Sequence, residues 1–243
     1  MITRNPSLTE QVKANLKERI LNDGFEEGRI PPEAELAAEL GVSRTTVRDA
    51  LGRLEHEGVI SRRQGSGTFV NKPVLQIKSR LEEIWSYEQV LEDHGYTPSV
   101  DVLRVETGPA DDSTAAVLDL DGDSNVLVIE KLFLEDDRPV VLTVNRIPTD
   151  IVTDAEYERH SATPVYEFLE EQCGRLLAYY VSDIVPVQLD DMQAGRLGVE
   201  QGTLAVSFDE VGYDEDNAPV VHATSYFRDD LLRFRLIRRR PGT

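Results

Sequence analysis

The chain has 243 residues, which exceeds one average domain and fits two modest ones. One cysteine and four scattered histidines exclude a disulfide-stabilised fold and a Cys/His metal site. No apolar run approaches the roughly 18 to 20 residues of a membrane span, and the N-terminus lacks an apolar signal core, so we expect a soluble cytoplasmic protein without a membrane partner.

Charge divides unevenly along the chain. Residues 1–78 hold 12 Lys+Arg and 11 Asp+Glu, a net of +1, whereas residues 79–243 hold 14 and 34, a net of −20. The total of −19 therefore does not exclude DNA binding by the first part. The acidity and the preference for Arg over Lys suggest a salt-adapted, halophilic host, in which acidic surface keeps a protein soluble. We expect the lone Cys173 to be a small buried hydrophobe.

Three helices are predicted in the first 57 residues. Residues 9–23 place apolar side chains at helical spacing, with Thr9 as a plausible N-cap. A second helix opens at Pro32 with acidic residues in its first turn. After the tight turn at Gly41, Ser43 caps a third helix that ends near residue 57. This order of elements predicts a helix-turn-helix.

Two short strands are predicted next. In the segment VISRRQGSGTFV, residues 59–70, apolar and polar residues alternate on either side of Gly65-Ser66-Gly67. This pattern is typical of a hairpin. A hairpin directly after a helix-turn-helix is a wing. The glycines would let its backbone approach DNA closely, and Arg62, Arg63 and Gln64 stand beside them.

The third helix has one apolar side and one side suited to a DNA groove. Arg44 and Arg48 lie one turn apart, and the planar fork of an arginine can donate to O6 and N7 of a guanine together. Thr45 and Thr46 carry short hydroxyls that can donate to phosphates near the helix N-terminus. An amphipathic helix with solvated arginines is the alternative. The predicted DNA-binding residues are Ser43, Arg44, Thr45, Thr46, Arg48, Arg62, Arg63, Gln64 and Gly65.

Beyond Asn71 the pattern changes. We predict a DNA-binding domain over 1–71, a linker over 72–79 and a second domain over 80–243. An amphipathic helix is expected over 80–94, followed by six strand-like runs and by helices near 112–119, 164–173 and 190–197. The fold class is therefore α+β.

These motifs resemble the GntR family of bacterial and archaeal regulators. The similarity is carried by Pro31-Pro32, Glu35-Leu36-Ala37, Val42 to Arg48, Gly58-Val59-Ile60 and Gly65 to Val70. The resemblance implies operator contacts by Arg44, Thr45, Thr46, Arg48 and Gly65. It also implies a transcription regulator, with repression as the expected sign.

Two positions depart from the family pattern. Ala34 stands where the family commonly has an arginine on the second helix, and Gly52 stands where a longer, often basic residue is usual. Some phosphate affinity of the family is therefore expected to be missing here.

The second domain resembles the UTRA domain of the HutC branch, through segments within residues 139–148, TPVYEFLEE, AGRLGVEQGTLAVSF and residues 226–230. It is too short for an aminotransferase-like partner and too rich in strands for the all-helical metal-binding branch. The resemblance implies a chorismate-lyase-like mixed fold with an antiparallel sheet, a small-molecule effector and no cofactor. It also leads us to expect a homodimer that reads a palindromic double-stranded operator.

The family's effector pocket maps poorly onto this sequence. Its two arginine positions fall on Lys131 and Phe133, its glutamate on Thr143 and a serine on Pro164. Lys131 and Arg146 could still pair with an anion, and we expect an effector less phosphate-like than an amino-sugar phosphate; the alternative is a site elsewhere. The predicted effector residues are Ser99, Lys131, Phe133, Thr143, Arg146, Tyr166, Tyr226 and Arg228.

Three alternatives stay open. An enzyme of chorismate-lyase-like fold would need a paired acid and base, and the sequence offers no clear pair, so no catalytic residue is predicted. An architectural DNA binder without ligand control is the second. The third concerns the C-terminus, where Arg233 and Arg235 could face outward from a last strand and Arg238 to Arg240 could form a frayed tail or a second DNA contact.

Overall fold

The chain divides into two compact units, Met1–Arg80 with Arg235–Thr243 and Leu81–Phe234. The computed structural model describes residues 6–22, 24–63, 65–75, 81, 84–153, 157–228, 234, 236 and 237. The five C-terminal arginines, Arg233, Arg235 and Arg238 to Arg240, lie outside the described residues, as does Gln64.

The described residues of the first unit form four α-helices and a small sheet. The elements are α1 Leu8–Leu21, β1 Arg29–Ile30, α2 Glu33–Leu40, α3 Arg44–His56, β2 Ile60–Arg63, β3 Gly67–Val70 and α4 Lys72–Leu75. Leu16, Leu36, Val47 and Leu54 are fully buried at its centre. Each such side chain contributes about 1.5–3 kcal/mol of burial free energy.

Local chemistry sets the helix ends of this unit. The predicted Thr9 cap is wrong, because the Ser7 side chain accepts from Glu10 N–H and the helix cap therefore lies two residues earlier. Gly41 ends α2 in the left-handed region at φ 66°, which Gly adopts without steric cost. Ser43 caps α3 as expected, accepting from Thr46 N–H at 3.1 Å.

The wing is a three-stranded antiparallel sheet in the order β1-β3-β2. β3 pairs with both neighbours, for example Thr68 with Arg62 and Ile30. β1 was not predicted, because a strand of two residues shows no alternation of apolar and polar side chains. The predicted linker over 72–79 begins with α4, and the remainder of it lies outside the described residues.

The second unit is built on a six-stranded antiparallel sheet, in the order β4-β5-β6-β9-β8-β7. Four helices accompany it. The elements are α5 Tyr87–Asp93, β4 Pro98–Pro109, α6 Asp112–Val117, β5 Asn125–Glu135, β6 Arg138–Pro148, α7 Val165–Cys173, β7 Leu177–Gln188, α8 Asp191–Leu197, β8 Leu204–Asp214 and β9 Pro219–Phe227. The mixed fold with an antiparallel sheet confirms the predicted fold class.

Helices cover both faces of this sheet. On one face, α5 and α7 bury Leu91 and Phe168 against strand residues such as Ile129 and Phe227. On the other face, α8 buries Leu197 with its neighbours in the cluster around β5, β6 and β8. Because side chains alternate along a strand, consecutive residues of one strand serve different layers.

The helix predicted over 80–94 is shorter than expected. Residues 84–86 are not helical, and α5 begins at Tyr87, where Ser86 accepts from Gln89 N–H at 3.1 Å. This cap frees Trp85 to turn toward Tyr87, with ring centroids 5.5 Å apart. No helix in the described part of the chain has the length and apolar character to cross a membrane.

Candidate nucleic-acid interface and ligand cavity

The third helix presents one polar face to solvent. Val47, Ala50 and Leu51 are buried, whereas Arg44 and Arg48 are exposed on another side of the helix. This is the division that the sequence predicted from helical spacing. The two arginines lie about one turn apart on α3.

Hydroxyl groups at the start of α3 have different roles. The Ser43 hydroxyl caps the helix and lies 2.8 Å from the Thr46 hydroxyl, so these two groups are already engaged with each other. Thr45 is exposed at the same end. Thr45 is therefore an exposed residue at this helix end, whereas Ser43 holds the helix start.

Arg48 is held by an acidic partner from α2. Its Nη2 and Nε donate to Oε2 of Glu33 at 3.1 and 3.2 Å. This contact raises the pKa of the Arg48 guanidinium. Arg62 of β2 donates to the Arg48 carbonyl at 3.3 Å and pairs with Glu55, so the wing is joined to α3 at two points along the helix.

Two glycines shape the wing turn. Gly65 and Gly67 adopt φ of 76° and 117°, a region that favours glycine, and a Cβ at Gly65 would meet open space. The Arg63 guanidinium lies over the Phe69 ring, 4.9 Å from its centroid.

A groove beside α3 contains basic residues that the sequence analysis did not select. Arg48, Gly52 and Arg62 line it together with Lys13 and Arg53. Lys13 pairs with Glu57 at 2.6 Å, and Arg53 pairs with Glu10. Lys13 belongs to α1, so its position in this groove becomes visible only when α1 packs on α3.

A cavity of about 600 Å³ lies on the α5/α7 face of the large sheet. Its walls come from strands β6 to β9, from α7 and from the segment around Trp85. The lining residues that matter for chemistry are Trp85, Tyr87, Asn145, Tyr166, Tyr180, Ser182, Phe208, Glu210 and Ser225. This volume lies within the usual range for small-molecule sites.

A second cavity of about 40 Å³ adjoins the first and shares Trp85, Tyr87, Asn145 and Tyr166 with it. Four predicted effector residues meet there, and they are Lys131, Phe133, Thr143 and Tyr166. Lys131 is 3% exposed and its ammonium donates to the Thr163 carbonyl. Burial lowers the Lys131 pKa to about 8.

The other four predicted effector residues lie elsewhere. Arg146 projects from the opposite face of β6, where it donates to Thr224 at 3.3 Å, so it does not share a ligand with Lys131. Tyr226 packs in the α8 cluster, Arg228 donates to the Pro139 carbonyl, and Ser99 is exposed on the outermost strand β4.

Glu210 is the cavity residue of greatest consequence that sequence reasoning missed. Its carboxylate accepts from Ser182, and desolvation raises its pKa. The pKa values of Tyr87 and Tyr180 are also raised, chiefly by burial, so both rings stay neutral. The only hint in the sequence was the alternation of side chains along β8. That alternation assigns Glu210 to the cavity side only when it is known which face of the sheet the helices cover.

Cys173 is buried on α7, and burial raises the pKa of its thiol to about 11. A thiol in this state is a poor nucleophile, in agreement with the expected structural role. No cluster of metal-ligating side chains is present among the described residues.

Two family models match the chain. The bacterial regulatory proteins of the gntR family match residues 8–70, and the UTRA domain matches residues 93–233. The chain belongs to the GntR family. The matches confirm the resemblance inferred from the α3 and wing motifs and assign the large-sheet unit of this GntR-family protein to the UTRA type.

Curated relatives and solved structures agree with this assignment. The transcriptional regulator Rv0792c of Mycobacterium tuberculosis is 31% identical over 247 residues, covering 100% of this chain and 89% of that protein. The transcriptional repressor NagR of Bacillus subtilis is 26% identical over 227 residues, covering 93% of this chain and 91% of that protein. PhnF from Mycobacterium smegmatis superimposes with a TM-score of 0.60 at 26% identity, covering 94% of this chain and 99% of that structure.

Proposed function

We propose that this GntR-family protein is a transcription repressor whose affinity for an operator is controlled by a small metabolite bound in the second unit. The exposed α3 face carries the proposal, because Arg44, Thr45 and Arg48 stand on one rigid helix beside a glycine wing. The name of the relative NagR supports repression as the sign of control.

Each side chain has a distinct proposed role. Arg44 and Arg48 read guanines in the major groove through O6 and N7, and Thr45 donates to a phosphate that fixes the register. The Gly65 backbone lets the wing approach the sugar-phosphate chain, with Arg62 and Arg63 neutralising phosphates. Gln64 is proposed on sequence alone.

We propose a homodimer that reads a palindromic operator, and the edge strand β7 supports it. Val181 and Val185 are 57% and 41% exposed, and β7 has no further strand beside it in the described sheet. An apolar sheet edge is a template for pairing with a second chain. Two copies would place two α3 helices on half-sites about 34–36 Å apart.

Ligand control is proposed to act through the same strand. Tyr180, Ser182 and Ile184 line the cavity, while Val181 and Val185 alternate onto the other side of β7. A ligand that orders the cavity side of β7 therefore favours one arrangement of the two protomers at this strand. The difference between the ligand's affinities for the two arrangements sets the size of the change in operator affinity.

We further propose a cytoplasmic, non-enzymatic protein with domains over 1–71 and 80–243, in a salt-adapted host. Action on chromosomal operators requires the cytoplasm, and the family consists of regulators. The net charge of −19 supports salt adaptation. Turnover of a bound metabolite would contradict the non-enzymatic assignment.

Gel shifts on DNA upstream of the gene test the proposal, at low and high salt. We expect a specific complex that Arg48→Ala weakens by at least about fivefold. Arg159→Ala, the same change in the second unit, is the matched control and should leave binding unchanged. Equal binding by wild type and Arg48→Ala would contradict the role of α3.

A further inference from the structure

The chemistry of the cavity walls indicates which class of effector they accept. The larger cavity is bordered by the rings of Trp85, Tyr87, Tyr166, Tyr180 and Phe208. Trp and Tyr faces attract cations through the negative potential of their π-systems, and they also pack against apolar bodies. Rings on several sides of one cavity suit a compact cation with an apolar body.

Glu210 adds a negative charge to these walls. It is half-buried, it accepts from the Ser182 hydroxyl, and no lysine or arginine is among the described residues that line the larger cavity with it. The neighbouring charged group on the same strand is Asp209, which is also acidic. A carboxylate in such a wall is stabilised most by a cationic group placed within the cavity.

Anionic ligands are disfavoured by the same arrangement. Lys131 is the only lysine or arginine among the described residues that line either cavity. Its ammonium already donates to the Thr163 carbonyl, and it lines the smaller cavity and not the larger one. A phosphate in the larger cavity would face Glu210 without a strong cation to compensate it.

We propose that the effector is an amine: a small molecule with a protonated or quaternary nitrogen held against the aromatic walls, with Glu210 as its counter-ion. This proposal rests on the cavity being the effector site of the proposed repressor. The cavity volume of about 600 Å³ leaves room for an aromatic or aliphatic body beyond the nitrogen. Asn145 and Ser225 supply neutral polar contacts on the sheet floor.

Calorimetry on the full chain tests the class of ligand with three probes of similar shape. Phenethylamine carries a positive charge, 2-phenylethanol is neutral, and phenyl phosphate is negative. We expect phenethylamine to bind at least about tenfold more tightly than 2-phenylethanol, and phenyl phosphate to bind most weakly. Tighter binding of phenyl phosphate, or no binding of phenethylamine, choline or putrescine at millimolar concentration, would overturn the proposal.

Substitution of Glu210 tests the counter-ion. Glu210→Gln keeps an acceptor for Ser182 and removes the charge, so phenethylamine affinity should fall about tenfold or more while 2-phenylethanol affinity stays constant. Glu200→Gln removes the same charge from an exposed turn and is the control. Undiminished phenethylamine binding by Glu210→Gln would overturn the assignment. The three-probe series on the wild-type protein decides the charge preference even where a variant fails to fold.

Operator binding without ligand separates this proposal from the proposed function. Amine binding together with failure to bind any upstream DNA would overturn the repressor and leave the ligand class intact. Specific operator binding together with a preference for phenyl phosphate would overturn the amine ligand class and leave the repressor intact.

Discussion

Arg48 and Glu33 join the second and third helices of the DNA-binding unit, with Nη2 of Arg48 3.1 Å from Oε2 of Glu33. The Arg48 side chain is 56% exposed, so the pair is screened by solvent and readily exchanged. In the proposed operator complex, Arg48 would have to leave this carboxylate to donate to a guanine. Glu33 would then compete with the operator for the same guanidinium.

Glu33→Gln is expected to tighten operator binding a few-fold at low salt, because it removes the competing charge from the DNA-facing surface. Thermal stability should fall slightly, since Glu33 lies in the first turn of α2, where an acidic side chain is favourable. Fluorescence anisotropy with labelled operator and a melting curve measure the two effects. Weaker operator binding would show instead that Glu33 positions Arg48 for base reading.

Gly52 offers an opportunity to stabilise the recognition helix. It is an exposed residue inside α3 with nothing within 4 Å of a built Cβ, and its φ is helical. Gly52→Ala should raise the unfolding free energy of this unit by about 0.5–1 kcal/mol. Gly41→Ala is the contrasting variant, because Gly41 has φ 66° and an L-residue there costs about 1–2 kcal/mol. Urea denaturation that shifts both variants in the same direction would contradict this account.

Gly52→Arg tests the departure from the family pattern noted in the sequence. Gly52 lines the basic groove beside Arg48 and Arg62, and the space in front of it is open. One added phosphate contact should increase DNA affinity and steepen the slope of log K against log salt by about 1 per protomer. An unchanged salt slope would indicate that this groove does not meet the phosphate backbone.

Val181 tests the proposed dimer edge without touching the cavity. It is 57% exposed, and its neighbours Tyr180 and Ser182, not Val181, line the cavity. Val181→Lys should give a monomer in sedimentation analysis and weaken operator binding about a hundredfold or more, because the second half-site no longer binds intramolecularly. Val117→Lys, at a 37% exposed position on α6, is the control. A dimeric Val181→Lys protein would contradict a dimer through β7.

Lys131 should make the stability of the second unit depend on pH. Its pKa is about 8 in the folded protein and near 10.4 in an unfolded chain, so the unfolded chain binds more protons between these values. Unfolding free energy therefore rises with pH across this window, by about 3 kcal/mol. Lys131→Met should be more stable than wild type at pH 7, and its unfolding free energy should not rise with pH across this window. Trp85 fluorescence follows the transition, and identical profiles for both proteins would refute the assignment.

Local chemistry made the DNA-binding surface predictable. Short-range interactions determine the Ser43 cap, the turn at Gly41 and the spacing of Val47 and Leu51. The position of α3 and of its exposed arginines could therefore be predicted directly from the sequence. Helix α5 shows the limit, since Ile84 and Trp85 fit a helical pattern but lie before the Ser86 cap. Tertiary packing of Trp85 decides the outcome there.

The cavity was harder to predict because it is assembled from distant strands. Lys131 and Arg146 appear equivalent in sequence, yet the register of β5 with β6 pairs Lys131 with Thr143 and sends Arg146 to the other face. Glu210 joins the cavity only through the pairing of β8 with β7, which places it beside Ser182. Such relationships depend on sheet order, which local patterns do not specify.

Protection of operator guanines from N7 methylation by dimethyl sulfate tests the central claim most directly. The account predicts that the wild-type protein protects guanines in two symmetric half-sites about 10 bp apart, and that Arg48→Ala loses protection at one guanine in each while the remaining contacts persist. An identical protection pattern for wild type and Arg48→Ala would contradict base reading by α3.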